Sequence, residues 1–183
     1  MQYFKLPAGV RDILPAESEK LDAAEETLRK KFRAAGFSSV RTAGLEYYDT
    51  FANIKSSVEQ NKMFKMTDKD GNLIVLRPDM TLACARIAAT KLREGAAKLC
   101  YFSNIYDFSA GGNSDREVAQ AGVEIFGEGG ALSDAKAVAF AIDCLKSVGL
   151  KDFIVDIGHV GFYKGLLEGS GLSGAAAEEI RGY

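Results

Sequence analysis

Two strand-like runs joined by a polar, glycine-rich loop constrain the fold of this 183-residue chain more than any other feature. The first run extends from Lys98 to Tyr106 and the second from Glu117 to Phe126. Aromatic and β-branched residues recur in both runs, as is typical of strands, and the glycines between them suit a turn. The pattern predicts two long strands that pair with each other.

Helix and strand signals alternate through the rest of the chain. A helix is predicted from Glu17 to Ala35, with Leu21, Leu28 and Phe32 on one face. The other predicted elements are short extended pieces at Ser38–Thr42 and Leu45–Tyr47, a short helix capped by Asp49, a hairpin of 63–67 and 73–76, a helix from Asp79 or Thr81 to about Leu92, a helix from Ser133 to about Val148, a strand at Phe153–Ile157, and weak helices at 166–167 and Ala175–Ile180. This order predicts a single α+β domain over residues 1–183 with a largely antiparallel sheet.

The bulk composition argues against several classes of protein. The chain has 23 basic and 25 acidic residues, and it contains no basic block that would suggest a nucleic-acid partner. No apolar run is long enough for a membrane helix, and the N-terminus lacks a signal-peptide core. Cys84, Cys100 and Cys144 form no C-x-x-C pair, so we expect buried thiols in a reducing cytoplasm. With His159 as the single histidine, placed at a strand-to-helix junction, we expect no metal site.

Asp79 and Thr81 stand at a predicted strand-to-helix turn. A carboxylate in such a turn can accept a hydrogen bond from a ligand ammonium group, and a hydroxyl two residues later can add another. The same two side chains are also common helix caps. Both roles can coexist, so the local sequence leaves the two interpretations open.

Gln120 and Glu124 are four residues apart on the second long strand and therefore point to the same face of the sheet. Val118 and Gly122 share that face. Two polar side chains beside a glycine suit a strand that receives a ligand, although a solvated face would show the same pattern.

Four segments, in order, resemble the histidyl type of class II aminoacyl-tRNA synthetase. They are Leu6–Pro15, the helix and extended run from Glu17 to Glu46 (similar to motif 1), Leu76–Thr81 (similar to the Arg-Pro-Glu-Gly-Thr loop), and the long strand pair (similar to motif 2). The resemblance implies a class II synthetase-like antiparallel sheet flanked by helices. Motif 3 and the family's histidine-specific segment are not found. We therefore expect the N-terminal part of a longer catalytic-core domain.

The resemblance also implies roles for individual residues. Asp79 and Thr81 would hold the α-amino group of an amino acid, Gln120 its backbone, and Glu124 an imidazole. Asp107 stands where motif 2 has the arginine that grips ATP. An arginine–phosphate pair at about 4 Å attracts by roughly 4 kcal/mol, and an aspartate repels the phosphate by a similar amount. The sequence therefore predicts a lost ATP-binding position.

A synthetase-like core without its ATP arginine is similar to the regulatory-subunit family of short-form ATP phosphoribosyltransferases. This resemblance implies a non-catalytic protein without cofactor that dimerises through the motif 1-like region and assembles with a catalytic subunit. It also implies histidine as a ligand and feedback inhibitor of the first step of histidine biosynthesis. Two alternatives are an active histidyl-tRNA synthetase, which is an enzyme, and a free-standing amino-acid sensor without an enzyme partner.

Overall fold

The computed structural model describes residues 4–52, 58–92, 95–109 and 115–170 of the chain. The chain divides into two compact units, Met1–Gly149 and Leu150–Tyr183. The elements of the first unit are the helices α1 (Pro15–Ala34), α2 (Asp49–Ala52), α3 (Thr81–Lys91) and α4 (Ala131–Ser147) and the strands β1 (Ser38–Ser39), β2 (Leu45–Tyr47), β3 (Lys65–Thr67), β4 (Leu73–Leu76), β5 (Ala97–Tyr106) and β6 (Glu117–Phe126). The second unit carries α5 (Val160–Ser170).

The strands form two three-stranded sheets. The long sheet has the order β1-β5-β6, and the short sheet has the order β2-β4-β3. β5 and β6 pair antiparallel along their whole length, from Ala97 opposite Phe126 to Tyr106 opposite Glu117. Among the strands that the structure describes, only the short β1 pairs parallel, with β5. The predicted hairpin and the largely antiparallel pairing are confirmed, but the strands divide into two sheets where we expected one.

The two faces of the β5–β6 hairpin pack against different helices because successive side chains of a strand point to opposite sides. On one face, Cys100 packs with Phe32 of α1 and Cys144 of α4. On the other face, Leu99 and Tyr101 pack with residues at the start of α3. We call this second face the α3 face. It carries the side chains of Leu99, Tyr101, Gln120 and Glu124 and the Cα of Gly122.

Arg77, at the end of β4, connects the short sheet to the long one. Its Nε donates a 2.7 Å hydrogen bond to the carbonyl oxygen of Asn104 in β5. Its Nη1 donates to the carbonyl oxygen of Thr42 at 3.1 Å. The backbone N–H of Tyr106 donates to the carbonyl oxygen of Arg77 at 3.1 Å. These bonds fix where the chain enters the turn of residues 78–81 and therefore where α3 begins.

The helices mostly begin and end near their predicted bounds. α1 begins at Pro15, a residue that fits the first turn of a helix because its missing N–H needs no partner there. α4 begins two residues before the predicted Ser133. Gly130 has φ +96°, and its carbonyl oxygen accepts hydrogen bonds from the N–H groups of Ser133 and Asp134. Glycine geometry, rather than a serine cap, therefore starts this helix.

The predicted strand at Phe153–Ile157 is wrong. In the described part of the second unit this segment has no strand partner, and Ile154 and Ile157 are 88% and 74% exposed. Apolar composition alone does not make a strand without a neighbour to satisfy its backbone hydrogen bonds. His159 directly precedes α5, and its Nδ1 accepts a 3.0 Å hydrogen bond from the N–H of Gly161. The predicted helix at Ala175–Ile180 lies outside the described residues.

The three cysteines are buried and free of disulfides, as the sequence predicted.

Candidate ligand site on the α3 face

Glu124 lies at the centre of the candidate site. Its Oε1 accepts a 2.9 Å hydrogen bond from the hydroxyl of Thr81, the first residue of α3. The hydroxyl of Tyr101 faces the same carboxylate. Hydroxyl groups from two different elements therefore lie at the carboxylate.

Tyr101 reaches Glu124 because of the residue that faces it across the hairpin. The β5–β6 register places Gly122 directly opposite Tyr101, two positions before Glu124. A Cβ at position 122 would overlap the Oη and Cζ atoms of Tyr101. Tyr101 is only 5% exposed, so its ring is enclosed by neighbouring residues. The absence of a side chain at Gly122 thus allows the phenol to lie across β6 and reach the carboxylate.

Asp79 adds a second carboxylate to this region. Its Oδ1 accepts a 3.0 Å hydrogen bond from the backbone N–H of Leu82, so the predicted cap of α3 is confirmed for this side chain. Its charge also acts on Glu124. Burial, together with the charge of Asp79, raises the pKa of Glu124, while the hydrogen bond from Thr81 opposes the rise.

The neighbouring acids respond to the same negative field. Burial, and then the charge of Glu124, raises the pKa of the Tyr101 phenol. Burial, with the charges of Glu124 and Asp79, raises the pKa of the Cys84 thiol to about 11. The phenol and the thiol are therefore neutral near physiological pH, and the two carboxylates set the sign of the site. Such a site favours a ligand that brings positive charge or N–H donors.

Gln120 lies on the same face, opposite Ser103. Its Oε1 is buried, and within the described residues it accepts no hydrogen bond. A buried carbonyl oxygen without a donor is costly, and a ligand N–H would relieve that cost. The strand register confirms the predicted placement of Gln120 and Glu124 on one face of the sheet.

Asp107 follows the last residue of β5, at the strand end where the sequence placed it. Its N–H donates to the carbonyl oxygen of Arg116 at 2.9 Å, which extends the hairpin by one more pair. Its Oδ1 accepts hydrogen bonds from the N–H and the hydroxyl of Ser109, at 2.8 and 2.7 Å. The carboxylate thus organises the turn that leaves the strand. Alternation along β5 puts Asp107 on the side of Tyr101.

Arg116 is the cation nearest to Asp107 along the hairpin register. Its guanidinium carbon lies 5.5 Å from the ring centroid of Phe108. Its backbone N–H donates to the carbonyl oxygen of Gly9 at 2.6 Å, and a Cβ at Gly9 would lie 2.8 Å from its Cγ. The N-terminal loop therefore packs on the stem of Arg116.

The structure brings together Thr81, Glu124 and Asp79, with Gln120 on the same face, and it places Asp107 at the loop end of the hairpin. Tyr101 is the member of the cluster that the sequence interpretation missed. Because side chains alternate along β5, the sequence shows that Tyr101 shares a face with Leu99 and Ser103. Only the cross-strand register shows that it lies opposite Gly122.

Within the described ranges, no group of three or more histidine, cysteine or acidic side chains could hold a metal ion. No helix in those ranges is long and apolar enough to cross a bilayer.

Solved structures share this architecture. An ATP phosphoribosyltransferase regulatory subunit/histidyl-tRNA synthetase from Bacillus halodurans superimposes with a TM-score of 0.88 at 36% identity, over 97% of this chain and 47% of that one. Apo histidyl-tRNA synthetase from S. aureus gives a TM-score of 0.67 at 28% identity, over 81% and 35%. The predicted class II synthetase-like α+β fold is thereby confirmed.

The sequence family follows from two further similarities. The family model described as histidyl-tRNA synthetase matches residues 9–183. The ATP phosphoribosyltransferase regulatory subunit of Acetivibrio thermocellus is 43% identical over 178 residues, which is 96% of this chain and 43% of that relative. The chain belongs to the histidyl-tRNA synthetase family. It spans less than half the length of the curated relative and of both solved structures.

Proposed function

We propose that this chain is part of a non-catalytic regulatory subunit of ATP phosphoribosyltransferase, which binds histidine on the α3 face. The observation that carries the proposal is the Glu124 carboxylate, which accepts a hydrogen bond from the Thr81 hydroxyl and lies in the field of the Asp79 charge on the α3 face. The 43% identity to a regulatory subunit supports the same function.

Histidine matches the chemistry of this face. Its α-ammonium group suits Asp79 and Thr81, at the start of α3. Its imidazole N–H suits Glu124, whose carboxylate can accept but not donate when ionised. Gln120 has a buried carbonyl oxygen available for a further N–H of the α-ammonium group. Each hydrogen bond to a charged group contributes about 1.5–3 kcal/mol, enough together for specific binding of a small zwitterion.

ATP does not match the loop end of the hairpin, where Asp107 lies. The position of the family's ATP arginine is occupied by Asp107, whose carboxylate already caps a turn through Ser109. A negative group there repels the phosphates by roughly the energy that the arginine would have contributed. The synthetase reaction needs ATP, so we infer that synthetase activity is lost and that the chain supplies no catalytic residue.

The relatives' name implies a partner, the catalytic subunit of ATP phosphoribosyltransferase, and we propose the same partner for this protein. We further propose that it dimerises through the motif 1-like region, that it requires no cofactor, nucleic acid or membrane, and that it works in the cytoplasm. Histidine inhibition of the assembled enzyme then requires that histidine binds its active and inactive states with different affinity.

Calorimetry of the full-length protein with L-histidine and with ATP tests the proposal. We expect binding heat for histidine and none for ATP. Glu124→Gln should abolish the histidine heat, whereas Glu128→Gln, which removes the same charge from an exposed residue beyond β6, should retain it. Co-purification with the catalytic subunit, and histidine inhibition of the complex, test the regulatory role. Tight ATP binding by the wild-type protein contradicts the proposal.

An active histidyl-tRNA synthetase is the second candidate. It is favoured by the similarity to the S. aureus enzyme and by Arg116, a cation one residue pair beyond the β5–β6 ladder. Aminoacylation of tRNA with histidine by the full-length protein decides between the two. Charging at an enzymatic rate would establish the synthetase and exclude the non-catalytic role.

A further inference from the structure

We propose that Tyr101 is a positioning residue: its hydroxyl holds the Glu124 carboxylate in the orientation that binds the ligand. Gly122 has no side chain and therefore leaves room for this hydroxyl. This inference rests on the proposed function for the identity of the ligand. The positioning itself rests on the hairpin geometry.

The contacts separate this role from ordinary packing. The ring of Tyr101 belongs to a buried cluster with Met80 and Cys84 at the start of α3. Its hydroxyl leaves that cluster, lies over Gly122 and faces the Glu124 carboxylate. A phenylalanine would fill the same apolar volume. The hydroxyl therefore serves the carboxylate rather than the core.

Two donors leave the carboxylate half occupied. An ionised carboxylate offers about four lone-pair positions. Thr81 takes one from α3, and in the proposed arrangement Tyr101 takes another from β5. About two positions then remain for a ligand, and the two hydroxyls oppose rotation of the carboxylate. A ligand with an N–H donor at the right place meets a carboxylate that needs no reorganisation.

Burial keeps Tyr101 in the donating state. The pKa of its phenol is raised, first by burial and then by the charge of Glu124, so the hydroxyl keeps its proton throughout the physiological range. The groups that face Glu124 are Thr81 and Asp79 from the α3 turn, Cys84 from α3 and Tyr101 from β5. Of these, Thr81 and Tyr101 carry the hydroxyl groups that can donate to the carboxylate.

Tyr101→Phe in the full-length protein tests the proposal, with Tyr106→Phe as the matched control. Tyr106 lies on the opposite face of the same strand, and its hydroxyl donates to Glu117 at 3.2 Å. We expect Tyr101→Phe to weaken L-histidine binding about tenfold and Tyr106→Phe to leave it unchanged. Equal affinity in Tyr101→Phe and wild type overturns the proposal.

A second measurement needs no ligand. The titration of Glu124, followed by NMR on protein with ¹³C-labelled glutamate, should move to a higher pKa in Tyr101→Phe, because a donor to the charged form is lost. A role in packing alone would leave it in place, and an unchanged titration refutes the positioning role. If wild-type protein fails to bind histidine, the proposed function fails, and this titration still decides the role of Tyr101.

Gly122→Ala provides an independent check. The added methyl group displaces the Tyr101 ring from its place over β6. Because both substitutions disrupt one hydrogen bond, their effects on histidine affinity should not add in the double variant. Full additivity would show that Gly122 and Tyr101 act separately and would contradict the proposed arrangement.

Discussion

Thr81 and Glu124, 43 residues apart in the sequence, are joined by a 2.9 Å hydrogen bond from the threonine hydroxyl to the carboxylate. The bond connects the first turn of α3 to the third residue pair from the open end of the long hairpin. Thr81 is exposed, whereas the carboxylate it contacts is partly buried. A ligand that approaches from solvent therefore meets an acceptor whose orientation is already set from the helix side.

Removing the Thr81 hydroxyl should weaken histidine binding. Thr81→Ala takes away one hydrogen bond, worth about 1 kcal/mol in an exposed setting, and we expect about a fivefold loss of affinity by calorimetry. Thr81→Ser keeps the donor and should bind nearly as well as wild type. Thr90→Ala is the matched control, because the Thr90 hydroxyl donates only along α3, to the carbonyl oxygen of Arg86. Wild-type affinity for histidine in Thr81→Ala would show that the Thr81 hydroxyl does not contribute to histidine binding.

Glu124→Gln should alter the pH dependence of stability. The folded-state pKa of Glu124 is raised above its ordinary value of 4.5, mainly by burial, so folding favours the protonated form. The stabilisation is complete below about pH 4.5 and is lost as the pH rises through the folded-state pKa. A glutamine stays neutral throughout. The variant should therefore melt at a higher temperature than wild type near neutral pH, and the difference should shrink in acid. Thermal melts across this range measure it, and a constant difference would contradict it.

Asp107 can be tested by restoring the charge that ATP needs. Asp107→Arg exchanges repulsion for attraction, a change of several kcal/mol at about 4 Å, and should produce a measurable ATP-binding heat. Asp107→Asn removes the charge, can still accept the hydrogen bonds of Ser109, and should gain little. If Asp107→Arg folds, as judged by circular dichroism, and binds ATP no better than wild type, then the aspartate is not what prevents nucleotide binding.

Local patterns were enough to predict the long hairpin and its polar face. A period of two places Gln120 and Glu124 on one side of β6 whatever the strand pairs with. The cap at Asp79 was predictable because a carboxylate three residues before a backbone N–H of the first helical turn is a local arrangement.

Features that depend on partners were not predictable from local sequence. The role of Tyr101 depends on its register with Gly122, which no residue of β5 specifies by itself. The same limit explains the wrong strand at Phe153–Ile157, where an apolar run has strand-like composition but no described neighbour. Arg77 likewise donates to backbone oxygens in two distant segments, and nothing in the Arg-Pro dipeptide shows this.

Arg77 offers the clearest test of how the two sheets support the site. Its Nη1 also lies 3.2 Å from the Thr42 hydroxyl and 3.3 Å from the Ala43 carbonyl oxygen. Arg77→Lys keeps the charge but loses the planar fork that reaches β5 and residues 42–43 together. We expect the free energy of unfolding to fall by about 2–3 kcal/mol in urea denaturation.

Arg33→Lys, at an exposed position of α1, is the control and should change stability by less than about 0.5 kcal/mol. Because Arg77 immediately precedes the turn that carries Asp79 and Thr81, its replacement should also weaken histidine binding below the unfolding transition. A variant that loses stability yet binds histidine with wild-type affinity would show that the α3 turn keeps its place without the guanidinium. Unchanged stability would show that the bonds to Asn104 and Thr42 contribute little to the fold.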